Sequence, residues 1–379
     1  MRISPALLED FLRDYFFTTE FDLGSSGVEC RTLGDLRRTA GPEGDALLAA
    51  LDATPLDDTP SYGTPAARGA VADRWAGGDS GRVLISHGSS EALFLAMNAL
   101  LDPDDEVVAL RPAYHALDSV AAAIGCRVTP WRLRFEDSYA ADLDELARLV
   151  TGRTRMVVVN FPHNPTGATI TPAEQDRLVA ICERAGAYLI WDGAFTELTH
   201  DGEPLPDPAA RYPRALSFGT LSKAYGLPGL RFGWCIGDPA LLAAFLPLRD
   251  RLTICLSPLV EAVATVAVRA ADRLAKPRLE QARGNLARLE RWAADRPAVR
   301  LVRPRGGVTG FPVLGVPDVD DFCHRLAEKR DTLLVPGSAF GEPAHVRLGF
   351  GGRSDLFAEG LSRLGEALAE DGSMGSSHA

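Results

Sequence analysis

The chain lacks the sequence features that identify several protein classes. It has no Cys-x-x-Cys pair, because its six cysteines are scattered at positions 30, 126, 182, 235, 255 and 323. This spacing argues against a zinc or disulfide framework and predicts reduced, mostly buried thiols in a cytoplasmic protein. No stretch approaches the roughly 18 consecutive apolar residues of a membrane-spanning helix. Charged residues interrupt positions 1–15, so we expect no secretion signal there.

Positive charge is also scarce. The 379 residues contain 40 Lys and Arg against 51 Asp and Glu, which gives a formal charge of −11. This balance disfavours nucleic acid as a partner. Hydrophobic residues make up 46% of the chain and charged residues 24%, as in globular proteins, and no internal repeat or low-complexity linker interrupts it. The length suits one large domain with a smaller second one.

Strand-like and helix-like segments alternate through the first two thirds of the chain. Strands are predicted for short apolar runs at 83–86, 106–110, 155–160, 187–192 and 232–237. The segments between them have helical periodicity. This order predicts an α/β fold with a doubly wound, mostly parallel sheet, whose functional loops lie at the carboxyl ends of the strands.

The expected domain boundaries follow from where this alternation begins and ends. Residues 41–255 are predicted as the large domain, and the mixed pattern of residues 256–370 predicts a smaller α+β domain. Residues 1–40 are predicted as an N-terminal arm that packs with the small domain. The Gly/Ser-rich residues 371–379 are predicted as a flexible tail. A single helix is expected over residues 41–58.

Polar groups follow several of the predicted strands. Gly88, Ser89 and Ser90 lie between a strand and a helix, where free backbone N–H groups and the helix dipole favour a phosphate. Asn164 lies in a loop whose two prolines and glycine fix its direction. Asp192 ends a buried strand, where a charged carboxylate needs a partner such as a protonated pyridine nitrogen.

Lys223 lies among small and hydroxyl-bearing residues. A lysine nucleophile must lose its proton, and desolvation or a neighbouring positive charge favours that loss. Thr220, Ser222 and Arg231 offer the hydroxyls and the guanidinium that bind a phosphate. A lysine that forms a Schiff base beside a phosphate site is typical of a pyridoxal-phosphate (PLP) enzyme. A solvated surface lysine is the alternative for this segment taken alone.

Several segments together resemble the fold-type I PLP enzymes of the class I/II aminotransferase family. They occur in the family's order and with its separations, at 88–93, 111–114, 160–167, 191–192, 222–231 and 346–348. The resemblance covers nearly the whole chain. It implies the PLP-transferase fold, with a large and a small domain, and PLP as the cofactor.

The resemblance implies roles for the residues at matching positions. Lys223 would form the Schiff base with PLP and move protons at the substrate Cα. Asp192 would hold the pyridinium proton, so that the ring accepts electrons. Tyr114 would stack on the ring, and Asn164 would bind its phenolate oxygen. The phosphate ligands would be Gly88, Ser89, Ser90, Thr220, Ser222 and Arg231.

Two further implied assignments concern the substrate and a second subunit. Arg347 would clamp the α-carboxylate of an amino acid through a bidentate pair. Tyr62 would reach the phosphate bound by the neighbouring subunit, since such sites are usually shared across a homodimer.

One departure from the family pattern bears on the reaction. Residues 192–195 read Asp-Gly-Ala-Phe, whereas the family usually has Asp-Glu-x-Tyr with a tyrosine that also touches the phenolate oxygen. Phe195 lacks that hydroxyl, which should change the pKa of the Schiff base and makes ordinary transamination less expected. Residues 8–13 with 25–28, 191–195 and 219–226 resemble a narrower group, the capreomycidine synthases of peptide-antibiotic pathways.

The narrower resemblance implies cyclisation of a 3-hydroxyarginine, with or without a further hydroxyl at C4. Lys223 would remove the Cα proton, water would leave from C3, and the guanidine would add there. Acidic groups near the cofactor are then expected to bind the guanidinium. The candidate substrate-binding residues are Asp22, Gly27 and Glu29 in the N-terminal loop. An amino-acid aminotransferase and a catalytically inactive, regulatory PLP-fold module are the alternatives.

Overall fold

The computed structural model describes residues 4–375, with side chains through residue 371. The helices within those residues are α1 (Leu7–Tyr15), α2 (Leu33–Ala40), α3 (Pro42–Asp52), α4 (Pro65–Trp75), α5 (Gly88–Leu100), α6 (Ser119–Ile124), α7 (Leu143–Leu149), α8 (Pro172–Ala185), α9 (Pro239–Ala243), α10 (Leu246–Arg249), α11 (Pro258–Arg269), α12 (Ala271–Ala294), α13 (Val319–Arg330) and α14 (Ser354–Gly375). No helix in this part of the chain is both long and apolar enough to span a membrane.

The strands divide between one large sheet and several small ones. They are β1 (Phe21–Asp22), β2 (Val83–His87), β3 (Glu106–Arg111), β4 (Arg127–Arg132), β5 (Thr154–Asn160), β6 (Tyr188–Asp192), β7 (Ala215–Thr220), β8 (Phe232–Ile236), β9 (Val299–Arg300), β10 (Thr309–Gly310), β11 (Val313–Leu314), β12 (Thr332–Leu333), β13 (Val335–Pro336) and β14 (Val346–Gly349).

The large sheet has the order β2-β8-β7-β6-β5-β3-β4. Its strands are parallel from β4 across to β7, while β8 runs antiparallel to both of its neighbours, β2 and β7. This confirms the predicted α/β fold with a mostly parallel sheet. The carboxyl ends of β5, β6 and β7 therefore lie side by side at one edge.

Both faces of this sheet are buried. In β5, Met156 and Val158 belong to one apolar cluster, and Val157 and Val159 belong to another on the opposite face. Helix α5 contacts β7 and β8, and α4 contacts β2 and α11. A strand covered on both faces is apolar at every position rather than at alternate ones. That is why the run in β5 was recognisable in the sequence.

The chain after α11 builds smaller sheets, and the N-terminal residues join them. Strands β10, β14 and β13 form an antiparallel sheet, and β9 pairs with β11. Strand β1 pairs in parallel with β12, and α1 contacts β13. The N-terminal segment thus packs on the C-terminal part of the chain. The domain boundaries themselves stay a prediction.

Two local expectations differ from the structure. Helix α3 ends at Asp52, so the single helix expected over 41–58 is wrong in its end; Pro55 has no backbone N–H and disfavours helical geometry before it. Helix α2 was not predicted, although Thr32 and Asp35 form a capping box at its start. Helix α14 continues to Gly375, so the first residues of the expected tail are helical. Residues 376–379 lie outside the described chain.

Candidate active site

The carboxyl ends of the central strands border a cavity of about 340 Å³. Its walls contain ten residues that the sequence singled out: Ser89, Ser90, Tyr114, Asn164, Asp192, Phe195, Thr220, Ser222, Lys223 and Arg231. Glu9 and Asn160 also line it, and sequence reasoning assigned neither of them a role. Residues separated by more than 200 positions thus meet at one edge of the sheet, and we call this space the inner cavity.

Lys223 follows β7 and presents its amine to the inner cavity. Its Nζ donates a hydrogen bond to Ser26 Oγ at 2.9 Å and lies 5.8 Å from the centroid of the Phe195 ring. Burial, followed by the positive charge of Arg347, lowers the pKa of Lys223 to about 8. A larger fraction of this amine than of an ordinary lysine is therefore unprotonated near neutral pH, and the unprotonated amine is the nucleophile.

Asp192 ends β6 with a buried carboxylate. Its Oδ1 accepts a hydrogen bond from the backbone N–H of Ala194 at 3.1 Å. Burial raises the pKa of Asp192 to about 6, although that N–H and the charge of Lys223 oppose the shift. A carboxylate in this setting is stabilised by a cationic donor, such as a protonated ring nitrogen.

Asn160 holds the loop that carries Asn164. The Asn160 side chain donates from Nδ2 to the carbonyl of Asp192 at 2.9 Å, and its Oδ1 accepts the backbone N–H of Asn164 at 2.8 Å. The side-chain oxygen of Asn164 is buried and has no hydrogen-bond partner among the described residues. Buried polar atoms are nearly always paired, so this amide is placed to bind a ligand.

A cradle for an anion lies where β2 joins α5. Gly88 has a φ of +74°, and a Cβ added there would lie 2.9 Å from Arg231 Nη2. Thr220 Oγ1 donates to Ser222 Oγ at 2.9 Å, and Arg231 Nη1 lies 3.4 Å from the same oxygen. The N-terminus of α5 adds free N–H groups and the positive end of its dipole. These groups together suit a phosphate.

Tyr114 and Glu9 form the side of the inner cavity nearest to α1. The Tyr114 hydroxyl donates to Glu9 Oε1 at 3.3 Å, and His115 Nε2 lies 3.2 Å from that oxygen. Burial raises the pKa of Tyr114 to about 12. The sequence showed Glu9 only as an acidic residue in the first turn of a helix, which the helix dipole alone explains. The sequence therefore did not indicate that Glu9 contacts Tyr114 and His115.

A second cavity of about 640 Å³ adjoins the first and shares Glu9, Tyr114, Ser222, Lys223 and Arg231 with it. We call it the outer cavity. Arg347 is buried in its wall and donates from Nε and Nη2 to the carbonyl of Gly24 at 3.0 and 2.7 Å. Burial lowers the pKa of Arg347 to about 10, so the guanidinium stays charged at neutral pH. It is placed to bind an anionic substrate group.

The three N-terminal candidates for substrate binding also line the outer cavity. Asp22 Oδ1 accepts the backbone N–H groups of Gly24 and Ser25, each at 2.8 Å. Glu29 Oε2 accepts from Arg278 at 2.5 Å and from Gln281 at 3.0 Å. Both carboxylates therefore already have partners in the protein, and Gly27 contributes backbone to the wall.

Tyr62 is not among the residues that line either cavity in the described chain. Its ring lies 5.3 Å from the guanidinium carbon of Arg68, and its carbonyl accepts the N–H of Ile85. Tyr62 therefore does not reach the phosphate cradle of its own chain. The predicted contact with a neighbouring subunit stays a prediction.

Comparison with known families decides the affiliation. Residues 39–364 match the family described as aminotransferase class I and II. The chain belongs to this family. The match includes every cavity residue named above except those of the N-terminal arm.

Similar proteins divide between cyclases and aminotransferases. A capreomycidine synthase from Streptomyces vinaceus is 47% identical over 370 residues, which cover 97% of this chain and 94% of that protein. The arginine–pyruvate transaminase AruH of Pseudomonas aeruginosa is 32% identical over 309 residues, covering 77% of this chain and 76% of that one.

Two solved structures resemble the chain over almost its full length. The PLP-dependent cyclase OrfR is 44% identical, with a TM-score of 0.92 and coverage of 98% of both chains. A PLP-dependent aminotransferase from Streptococcus suis is 27% identical, with a TM-score of 0.93 and coverage of 98% of this chain and 99% of that one.

The aminotransferase-family cavity in this chain fits PLP. A buried lysine whose pKa is lowered suits condensation with an aldehyde. Burial raises the pKa of Asp192, so a protonated ring nitrogen beside it would stabilise its carboxylate. The unpaired oxygen of Asn164 marks a ligand contact, since an amide can turn either its oxygen or its nitrogen towards a ligand. The space at Gly88, beside the Arg231 guanidinium, suits a phosphate.

Proposed function

We propose that this enzyme cyclises a 3-hydroxyarginine to capreomycidine or its hydroxylated form, in an antibiotic pathway. The observation that carries the proposal is the likeness to a capreomycidine synthase over 97% of the chain. The geometry is consistent with it, because the Phe195 ring, which has no hydroxyl, lies near the Lys223 amine. The reaction is a β-elimination of water followed by β-addition of the guanidine.

The residues of the inner cavity account for the proton movements. When bound, PLP supplies an electron sink for negative charge at the substrate Cα. Lys223 takes the Cα proton, and Asp192 keeps the ring nitrogen protonated. The C3–O bond then breaks, and the hydroxyl takes the proton held on Lys223 and leaves as water. As a guanidine nitrogen bonds to C3 it passes a proton back to Lys223, which returns it to Cα, so the net change is the loss of one water.

Arg347 orients the substrate in this account. Its guanidinium lies in the wall of the outer cavity, which Lys223 also lines, and its positive charge lowers the pKa of the Lys223 amine. A substrate α-carboxylate on Arg347 would place Cα close to Lys223. The rate of proton transfer depends on such positioning.

An arginine aminotransferase is the rival function, and the likeness to AruH favours it. Both reactions begin with loss of the Cα proton, so Lys223, Asp192 and Arg347 serve either. Phe195 counts against the rival, because the family's usual tyrosine is missing from the ring's phenolate side. The third alternative, a module without catalysis, is disfavoured since Lys223, Asp192, Asn164 and Arg347 are all in place.

The proposal includes a homodimer in which Tyr62 of the partner subunit reaches the phosphate. An apolar face supports it, made of Leu48, Leu56, Leu252, Ile254 and Leu259, each more than a third exposed. Exposed apolar groups of this extent mark contact surfaces. Thr59 Oγ1 donates to the carbonyl of Leu256 at 2.9 Å and so joins the two segments that carry this face.

A cytoplasmic location is also part of the proposal. Cys30, Cys126, Cys182, Cys235, Cys255 and Cys323 are free thiols in the structure. Free thiols persist in reducing compartments, where an enzyme acting on a free amino acid meets its substrate.

The test is incubation of the PLP-loaded enzyme with 3-hydroxyarginine in the absence of any 2-oxo acid. Mass spectrometry should show a product lighter by one water that keeps all of its nitrogen atoms. Turnover that starts only when pyruvate is added would instead establish the aminotransferase. Arginine without the C3 hydroxyl is the matched control and should give no lighter product.

A further inference from the structure

Ring closure constrains where the guanidinium must be bound. The six-membered ring contains C3, C4 and C5, the chain nitrogen, the guanidine carbon and the attacking nitrogen. The attacking nitrogen must therefore come within about 3–3.5 Å of C3, one bond from the Cα that Lys223 serves. The guanidinium is thus folded back to the inner cavity when it reacts. A carboxylate that holds it there must border the inner cavity.

Two carboxylates border the inner cavity among the described residues, Asp192 and Glu9. Asp192 is buried at the end of β6 and is the partner of the cofactor ring. Glu9 lies on α1 and also lines the outer cavity, so it stands where the two spaces join. Asp22 and Glu29 line the outer cavity only, so neither borders the space in which the ring must close.

The two oxygens of Glu9 have different surroundings. Oε1 is held by Tyr114 at 3.3 Å and His115 at 3.2 Å, whereas no hydrogen bond within residues 4–371 is recorded to Oε2. The Glu9 side chain is 42% exposed. The hydrogen bond from His115 lowers the pKa of Glu9, so it is ionised at neutral pH. One oxygen is therefore fixed, and the other is available to accept a guanidinium N–H.

We propose that Glu9 binds the guanidinium of the substrate and holds it folded over the inner cavity. The inference rests on the proposed function for the choice of substrate. Arg347 and Glu9 then bind opposite ends of the same molecule, the α-carboxylate and the guanidinium. The contact by which Glu9 recognises the guanidinium therefore also positions it for ring closure.

The test compares binding of L-arginine and L-norvaline to the holoenzyme by calorimetry. Norvaline has the same α-groups and a three-carbon side chain but no guanidinium. Glu9→Gln keeps an oxygen for Tyr114 and His115, but its amide N–H₂ cannot accept a guanidinium proton. It should weaken arginine binding by about ten- to a hundredfold and change norvaline binding by less than about twofold. Asp10→Asn is the matched control, because Asp10 is on the same helix and lines neither cavity.

The outcomes separate this inference from the proposed function. If Glu9→Gln binds arginine as tightly as the wild type, or weakens both ligands equally, Glu9 does not recognise the guanidinium. That result leaves the cyclase standing if the wild type still releases water from 3-hydroxyarginine. A selective loss of arginine binding in an enzyme that shows no cyclisation would support Glu9 and reject the cyclase.

Discussion

Burial sets the protonation of the two groups that matter most at the site. It lowers the pKa of Lys223 and raises that of Asp192, so each is shifted towards its neutral form. For Lys223 this favours attack on an aldehyde. For Asp192 the ionised form is stabilised only when a cation arrives, and a pyridinium would be that cation. Without a bound cation, the ionised carboxylate of Asp192 therefore lowers the stability of the folded apoprotein, and a bound pyridinium would restore that stability.

This loss of stability predicts a pH-dependent effect of Asp192→Asn on the free energy of unfolding of the apoprotein. The folded-state pKa of Asp192, about 6, lies above the ordinary value of 3.8. The folded state thus holds the proton more tightly, and the wild type loses stability as pH rises from about 4 to about 6. Above that window Asp192→Asn should be more stable by roughly 1–3 kcal/mol, with little difference at pH 4.

Calorimetric melting of both apoproteins at pH 4 and pH 7.5 measures this difference. The variant should also be inactive with PLP, because the ring nitrogen loses its anionic partner. Equal melting temperatures at pH 7.5, or a more stable wild type, would show that Asp192 is not strained by burial.

At the scale of secondary-structure elements, the junction of β2 and α5 forms the proposed phosphate site. Gly88 has a left-handed φ, and its missing side chain leaves room for Arg231. Gly233 on β8 has the same function on the other side, since a Cβ there would lie 2.6 Å from the nitrogen of Ser89. The cradle is therefore built by close backbone packing as much as by its hydroxyl groups.

Gly88→Ala should weaken PLP binding by about tenfold or more. The added methyl meets Arg231 Nη2 at 2.9 Å and strains a φ of +74°, so the guanidinium must move away from the phosphate. Fluorescence titration of the apoenzyme with PLP measures the change. Gly69→Ala is the control, because Gly69 lies within α4 with no atom near its Cβ position. Equal affinities for Gly88→Ala and Gly69→Ala would rule out this role of the junction.

Local patterns explain which parts of the site could be predicted. Gly88, Asn164, Asp192 and Lys223 each lie at or just past the end of an apolar strand that is recognisable by itself, and parallel strands bring such ends together. The contact of Glu9 with Tyr114 spans 105 positions and joins a surface helix to a loop. Nothing in the sequence near Glu9 reflects it. Ser26, the hydrogen-bond partner of Lys223, is likewise distant from it in the sequence, so this contact could not be predicted either.

At the scale of the whole molecule, the arm and the C-terminal part close the site from one side. Arg347 on β14 holds the carbonyl of Gly24, while β1 pairs with β12. The proposed sites for the substrate's carboxylate and for its guanidinium therefore both depend on how the arm is docked. The apolar face formed by Leu48, Leu56, Leu252, Ile254 and Leu259 takes part in none of these contacts, and in the proposed homodimer it would contact the second copy.

Sedimentation should accordingly show the wild type at twice the chain mass of 40.6 kDa. Ile254→Asp places a charge in the apolar face and should shift the protein towards monomer and weaken PLP binding. Its backbone φ of +57° suits aspartate better than isoleucine, so folding should not suffer. Leu7→Asp, an exposed apolar position outside that face, should leave the dimer intact. A monomeric wild type with full activity would exclude a shared site.

The central claim is that the substrate keeps its amino group while it loses water. The most direct measurement uses 3-hydroxyarginine carrying ¹⁵N on the α-amino group, with PLP-loaded enzyme and pyruvate present. The account predicts a cyclic product that retains the label and is lighter than the substrate by one water. Label recovered in alanine, with no product lighter by water, would contradict it and establish transamination.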